Sequence, residues 1–142
     1  MRGSLNRLRP GALEERTLKD ALEKTIREYQ ILSNLQVDLN YEWIDVDMDV
    51  MIEDTIFRVI QESMTNAVRH GHASHMDLHF FEDEEDYMIE LQDNGVGFET
   101  LTYGYGLKQM MERISILGGQ LQFESRDGFF TRVSLPKYKE GR

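Results

Sequence analysis

The sequence predicts a two-layer α/β sandwich, an α+β arrangement in which about three helices cover one face of a mixed β-sheet. Segments with apolar residues at helical spacing alternate with segments of period two, in the order helix, strand, helix, two strands, helix, two strands. Both strand pairs are joined by turn-forming stretches, "EDEED" and "RDG", as hairpins are. The 142 residues, 40% of them hydrophobic, suffice for one core, and neither an internal repeat nor a low-complexity linker marks a second domain.

In chain order, "GALEERTLKDALEKTIREYQILSN" sets Leu18, Leu22, Ile26 and Tyr29 on one helical face, and Pro10 and Gly11 mark the start of that helix. "VDLNYEWI" places Val37, Leu39, Tyr41 and Trp43 on one face of a strand. The acidic "DVDMDVMIED" leads into a second helix, "TIFRVIQESMTNAVRHGH", with an apolar stripe of Phe57, Ile60, Met64 and Ala67 and an end signalled by Gly71. Strands near 76–81 and 87–92 form the first hairpin. "NGVGFETLTYGYG" then opens a third helix, in which Leu107, Met110, Met111, Ile114 and Leu117 face the core and which "GG" stops. "GQLQFESRDGFFTRVSLP" closes the fold as a hairpin turning at Asp127 and Gly128.

Composition excludes several classes of function. Without cysteine there is no disulfide framework, thiolate zinc site or cysteine nucleophile. A net charge of −10 argues against a general nucleic-acid surface, although one small anion can still bind locally. No uncharged apolar run approaches the roughly 18 residues of a membrane span, and "MRGSLNRLRP" lacks the apolar core of a secretory signal. His70, His72, His75 and His79 straddle a helix end and a strand without a helical i, i+4 pair, which does not favour structural zinc. No serine sits in a nucleophile-elbow context.

Four segments can carry chemistry. On the second helix, Glu62, Asn66 and the Arg69/His70 pair fall at i, i+4 and i+7/i+8. This stripe is either a solvated face or a source of oxygen ligands for a hard cation such as Mg²⁺ beside substrate phosphates. In "YMIELQDNGVGF", Asp93 has the parity of Tyr87, Ile89 and Leu91, so its carboxylate faces inward. Buried, it needs a donor. The exocyclic amine of adenine offers one, with Gly95 and Gly97 letting the backbone approach the base; the alternative is a simple Asn-Gly turn. "YGYG" puts Gly104 and Gly106 directly before a helix start, where backbone amides suit a phosphate, although neither a P-loop nor the dinucleotide fingerprint is present. Thr131 shares parity with Val133 and Leu135, so its hydroxyl also faces inward, ordinarily onto nearby backbone.

Taken in order, "FRVIQESMTNAVRHG", "DNGVGF", "YGYGLKQMMERI" and "GFFTRVSLP" resemble the N, G1, G2 and terminal G-T-like boxes of the GHKL ATPase superfamily, shared by gyrase, heat-shock chaperone and histidine-kinase ATP-binding domains. Within it the chain is similar to the catalytic domain of bacterial sensor histidine kinases of the nitrate/desaturase-sensor type. The linker-like "LRPGALEERTLKDAL" and the very short lid between Gly97 and Gly104 carry that likeness. The resemblance implies a Bergerat-type ATP-binding fold with ATP and Mg²⁺ as cofactors. It makes Asn66 the Mg²⁺ ligand and Glu62 the general base or the group that polarises the acceptor. It brings Arg69 and His70 near the phosphates, Asp93 onto the adenine amine, and Gly95 and Gly97 along the base. Gly104, Gly106 and Leu107 match the box that contacts phosphates, and Thr131 helps to fix adenine. Where the family often has glycine before that threonine, this chain has Phe130, with its glycine earlier at Gly128.

The implied activity is phosphoryl transfer from Mg-ATP to a histidine on a separate dimerisation domain, for relay to a response regulator. Residues 1–12 then read as a linker from missing dimerisation helices, in which 1–4 are either an expression scar or a native start; 13–138 are the ATP-binding domain and 139–142 a tail. Such a fragment is expected to be a cytoplasmic monomer that binds no nucleic acid, from a kinase that can be membrane-anchored. Two other readings are an anti-sigma serine kinase of the same fold, against which the linker-like start speaks, and a nucleotide-sensing module without transfer, against which Glu62 speaks.

Overall fold

The computed structural model describes residues 17–43, 48–70, 72–97 and 105–137. Its helices are α1 (Leu18–Leu32), α2 (Val50–Arg69) and α3 (Tyr105–Ile116), and its strands are β1 (Gln36–Tyr41), β2 (His75–Glu82), β3 (Asp86–Asp93), β4 (Gln120–Ser125) and β5 (Phe129–Pro136). The linker at 1–12 with Pro10 and Gly11, the tail at 139–142, Gly71 and Gly104 lie outside the described residues.

Capping sets the helix ends. Thr17, in extended backbone, is the N-cap of α1, and its hydroxyl accepts from the Asp20 amide at 3.1 Å. The helix therefore starts at "TLKD", later than Pro10 and Gly11 suggest, because the cap oxygen satisfies an amide that the first turn leaves unpaired. Asp49 does the same for α2, accepting from the Met51 amide at 3.2 Å. After α3, Gly118 adopts a φ of 81° and the Gly119 amide donates to Ile114 O at 2.9 Å, a left-handed stop.

The sheet runs β1-β2-β3-β5-β4, with β1 parallel to β2 and the other pairs antiparallel. α2 makes the crossover that a parallel pair requires. The second hairpin docks with its later strand inward, so β5 lies against β3 and β4 forms the edge. Leu78 and Phe80 of β2, Ile89 and Leu91 of β3 and Val133 of β5 are buried in one cluster with Leu22 of α1, Ile60 and Met64 of α2, and Ile114 of α3. The expected two-layer architecture is present. The stripe of α2 is rotated slightly from expectation: Ile56, Val59 and Ile60 are fully buried, while Phe57 is only partly so.

Side chains close the sheet ends. Past β1, the Trp43 indole donates to Phe81 O at 2.6 Å and packs edge-on against Phe80 at 5.1 Å. In the β2–β3 turn, Asp83 Oδ1 accepts from the amides of Asp86 at 2.7 Å and Glu85 at 2.9 Å, which holds its carboxyl below the usual carboxylate range. Among the described residues no helix is long and apolar enough to cross a membrane.

Candidate functional site

The end of β3 and the start of β5 meet at Asp93. Period-two burial turns this carboxylate inward, leaving it 5% exposed. Its Oδ1 accepts from the amides of Gly95 and Phe129, both at 2.9 Å. No described residue donates to Oδ2, so one oxygen is held by the backbone and the other remains an acceptor.

Glycine is required around it by the protein's own close approach. At Gly97, with φ 68°, a Cβ would stand 2.5 Å from Ser125 Oγ and 2.7 Å from Gly128 O. At Gly128, with φ 131°, a Cβ would strike the Asp93 carbonyl oxygen and lie 2.9 Å from its Oδ1. Asn94, which the sequence marks only as a turn residue, pins the loop to the start of β2: its Oδ1 accepts from the Ser74 and His75 amides at 2.9 and 3.0 Å, and its Nδ2 donates to Ser74 Oγ at 3.0 Å. The habit of Asn side chains to bond backbone is the signal for such a role, but these partners lie twenty and nineteen residues away.

Thr131 is buried on the same sheet face, opposite Leu91, and its hydroxyl has no hydrogen-bond partner among the described residues. Phe130, the departure from the family pattern, points to the other face. There its ring lies 3.8 Å from the Arg126 guanidinium and 5.3 Å from that of Arg132. It therefore leaves the inward direction of Thr131 intact.

The second half of α2 carries the polar stripe. Glu62 and Asn66 are half-buried, Arg69 and His70 exposed, and none of these four side chains has a hydrogen-bond or ion-pair partner among the described residues. Gly106 sits inside the first turn of α3 rather than before it. A Cβ there would strike Glu62 Oε2 and lie 2.7 Å from its Cδ. The carboxylate thus rests against the first turn of α3. It opens into a cleft of about 350 Å³ bounded by Tyr29, Arg58, Thr65, Gln109 and Arg113. The Leu107 side chain is in the core, so only its backbone is available to a phosphate. Gly95 is half-buried, and residues 98–104, Gly104 included, lie outside the described residues.

The histidines do not converge. His75 Nε2 lies 3.2 Å from Asp38 and 3.1 Å from Asp77, while His79 Nε2 lies 3.0 Å from Glu42.

Comparison with known proteins fits this geometry. Residues 51–139 match the family described as histidine kinase-, DNA gyrase B- and HSP90-like ATPase. The chain belongs to this ATPase family. The signal transduction histidine-protein kinase/phosphatase UhpB of Salmonella typhimurium is 35% identical over 142 residues, covering 96% of this chain and 28% of that protein. The sensor protein VraS of Staphylococcus epidermidis is 30% identical over 138 residues, covering 95% of this chain and 39% of that protein. The chain thus spans well under half the length of these relatives. In fold, the ATPase domain is similar to the histidine kinase domain of a blue-light activated histidine kinase from Erythrobacter litoralis, with a TM-score of 0.72 at 17% identity over 84% of this chain and 60% of that one. It is likewise similar to the histidine kinase AdeS of Acinetobacter baumannii, with a TM-score of 0.70 at 19% identity over 86% of this chain and 64% of that one. It is an ATP-binding domain of the sensor histidine kinase kind.

Proposed function

We propose that this domain binds Mg-ATP and passes the γ-phosphoryl group to a histidine on the dimerisation helices of its kinase, for relay to a response regulator. The half-satisfied carboxylate carries this reading: Asp93 commits Oδ1 to two amides and keeps Oδ2 as an acceptor, on the face where the Thr131 hydroxyl also lacks a described partner. Adenine presents an amine donor to such a group. Guanine presents a carbonyl there, which a carboxylate repels.

The α2 stripe suits the other end of the nucleotide. The Asn66 side-chain oxygen, half-buried and without a described partner, is a fitting ligand for a hard cation that keeps most of its waters. Bound there, Mg²⁺ would neutralise charge on the phosphate oxygens. Glu62, one turn earlier, takes the proton from the acceptor imidazole or polarises it. Arg69 and His70, exposed at the helix end, meet phosphate charge, and the first amides of α3 at Gly106 and Leu107 add donors.

The same proposal makes 1–12 a linker from the dimerisation helices and 13–138 the ATP-binding unit. It also makes the isolated domain a cytoplasmic monomer, from a kinase that can be membrane-anchored. The short segment between Gly97 and Gly104 supports the nitrate/desaturase-sensor branch.

The test is titration of ATP, ADP and GTP with and without Mg²⁺, followed by addition of the separate dimerisation helices. ATP and ADP should bind about tenfold or more tighter than GTP. Acid-labile phosphate should appear on the added helices and not on this chain's own histidines. GTP matching ATP overturns the nucleotide reading; binding without any transfer leaves a nucleotide-sensing module instead.

A further inference from the structure

We propose that the β4–β5 turn sets nucleotide specificity: the Phe129 amide, held against Asp93 by Gly128, fixes which carboxylate oxygen is offered to the base. The inference rests on Asp93 as the adenine reader and adds the positioning residues that make it one.

A carboxylate has two equivalent oxygens, and a bond from Gly95 two residues on is the local contact any turn after an aspartate can make. The Phe129 bond is different, because it reaches across 36 residues of sequence. Both amides converge on Oδ1. Two donors on one oxygen fix the plane of the group and leave Oδ2 as the only oxygen that can face a ligand.

The turn is held for this purpose from several sides. Gly128 is buried at φ 131°, and a Cβ on it would strike the Asp93 carbonyl, so only glycine lets Phe129 approach. Gly97 lies against Gly128 O and Ser125. Gln92 Nε2 donates to Asp93 O at 2.8 Å and to Arg126 O at 3.1 Å, joining the end of β3 to the turn. The Arg126 amide donates to Gly128 O at 3.0 Å, and its guanidinium covers Phe130. The displaced glycine of the terminal box therefore has a task of its own at position 128.

Discrimination follows from polarity. Because the turn presents N–H donors to position 93, whatever stands there must answer with an acceptor on that side.

The experiment compares ADP with purine riboside 5′-diphosphate, which lacks the exocyclic amine, on the unmodified domain, Gly128→Ala and Phe129→Pro. The proline removes one N–H at the first residue of a strand, where it is tolerated best. The unmodified domain should favour ADP by about ten- to a hundredfold. In both variants that preference should fall to within about threefold, with affinity for the amine-free analogue kept; a general structural defect would instead weaken both ligands alike. A folded variant that keeps the full preference overturns the inference. An unmodified domain without any preference overturns the Asp93 reading itself, and the two failures are thereby distinguished. If neither variant folds, hydrogen exchange on the unmodified domain decides: the Phe129 amide should be protected without nucleotide and gain protection with ADP beyond that with the analogue. Rapid exchange of that amide, or equal gains with both ligands, overturns the inference.

Discussion

The two ends of the site are built in opposite ways. At the β3–β5 end, Asp93, Asn94 and Gln92 are tied to backbone by bonds of 2.8 to 3.1 Å, and glycines at 97 and 128 are pressed onto neighbouring atoms. On α2, Glu62, Asn66, Arg69 and His70 have no partner among the described residues. Burial explains the contrast. A carboxylate 5% exposed needs protein donors on at least one oxygen whether or not a ligand is present, since a bare buried charge costs several kcal/mol. Half-buried and exposed groups on a helix are reached by water and cost little in the nucleotide-free domain; the proposed phosphates and cation would replace that water. On the proposed reading, base recognition is thus preorganised on strands, while the groups proposed for transfer are left without a described partner on a helix. Substitutions at the two ends should separate accordingly: stability and base discrimination at one, transfer and Mg²⁺-dependent affinity at the other.

The largest effect is expected at Glu62. Glu62→Gln should slow transfer to the dimerisation helices about 10²- to 10⁴-fold, with nucleotide affinity spared. Thermal stability should stay within about 0.5 kcal/mol, as for other surface changes. Single-turnover transfer beside an ATP titration measures both. A loss of stability with transfer intact would recast Glu62 as a packing partner of Gly106 and break the comparison.

Asp93→Asn should cost ATP affinity on the order of ten- to a hundredfold or more. The amide oxygen can satisfy Gly95 and Phe129, but its NH₂ then meets the adenine amine donor to donor. Flipping relieves that clash only by turning NH₂ onto the two backbone amides. Either way the nucleotide-free domain also loses stability, unlike the α2 variants. Normal ATP binding by a folded Asp93→Asn domain would reduce the glycine-rich stretch to a turn.

Asn66→Ala is expected to act more narrowly. It should bring ATP affinity down to that of the unmodified domain without Mg²⁺, while leaving amine discrimination unchanged. Stability should hold or rise by a few tenths of a kcal/mol, since alanine is the better helix former. Equal binding by the unmodified domain with and without Mg²⁺ would remove Asn66 from the metal.

Legibility in the sequence follows the same division between local and tertiary causes. Asp93 is legible because strand parity is strict: with Ile89 and Leu91 buried, a one-residue slip would expose the whole set. Helix stripes are looser, so the pattern centred on Phe57 misses Ile56 and Val59 by one step. The hairpins can be read from their turns. The parallel pairing of β1 with β2 and the seating of β5 against β3 cannot, since local pattern does not name a strand's neighbour. The glycines at 97 and 128 announce themselves as turn residues, yet their cause is a contact more than twenty residues away along the chain. Thr17 could have been found, because threonine three residues before an acidic residue at a helix start is a capping signal. Its function depends on a single side-chain bond that Pro10 and Gly11 do not report.

The smallest effect sharpens the comparison most, because Thr131 lies at the preorganised end but lacks a described partner like the groups on α2. A buried hydroxyl without a partner destabilises the nucleotide-free protein, and a ligand that bonds it gains what the protein has forgone. Thr131→Val keeps the branched shape and removes the hydroxyl, so the nucleotide-free domain should be as stable as before or more stable by about 1 kcal/mol. ATP affinity should nevertheless fall roughly two- to tenfold, the worth of one neutral hydrogen bond. Thr131→Ser makes the opposite change: it keeps the hydroxyl and loses a buried methyl, so stability should drop by about 1 kcal/mol while affinity is held. Chemical unfolding and ATP titration on both variants give the four numbers needed. If valine costs stability as well as affinity, the hydroxyl serves the fold, as the Asn94 side chain does. If valine keeps stability and loses affinity while serine loses stability and keeps affinity, the Thr131 hydroxyl, like Asp93 Oδ2, waits for the nucleotide.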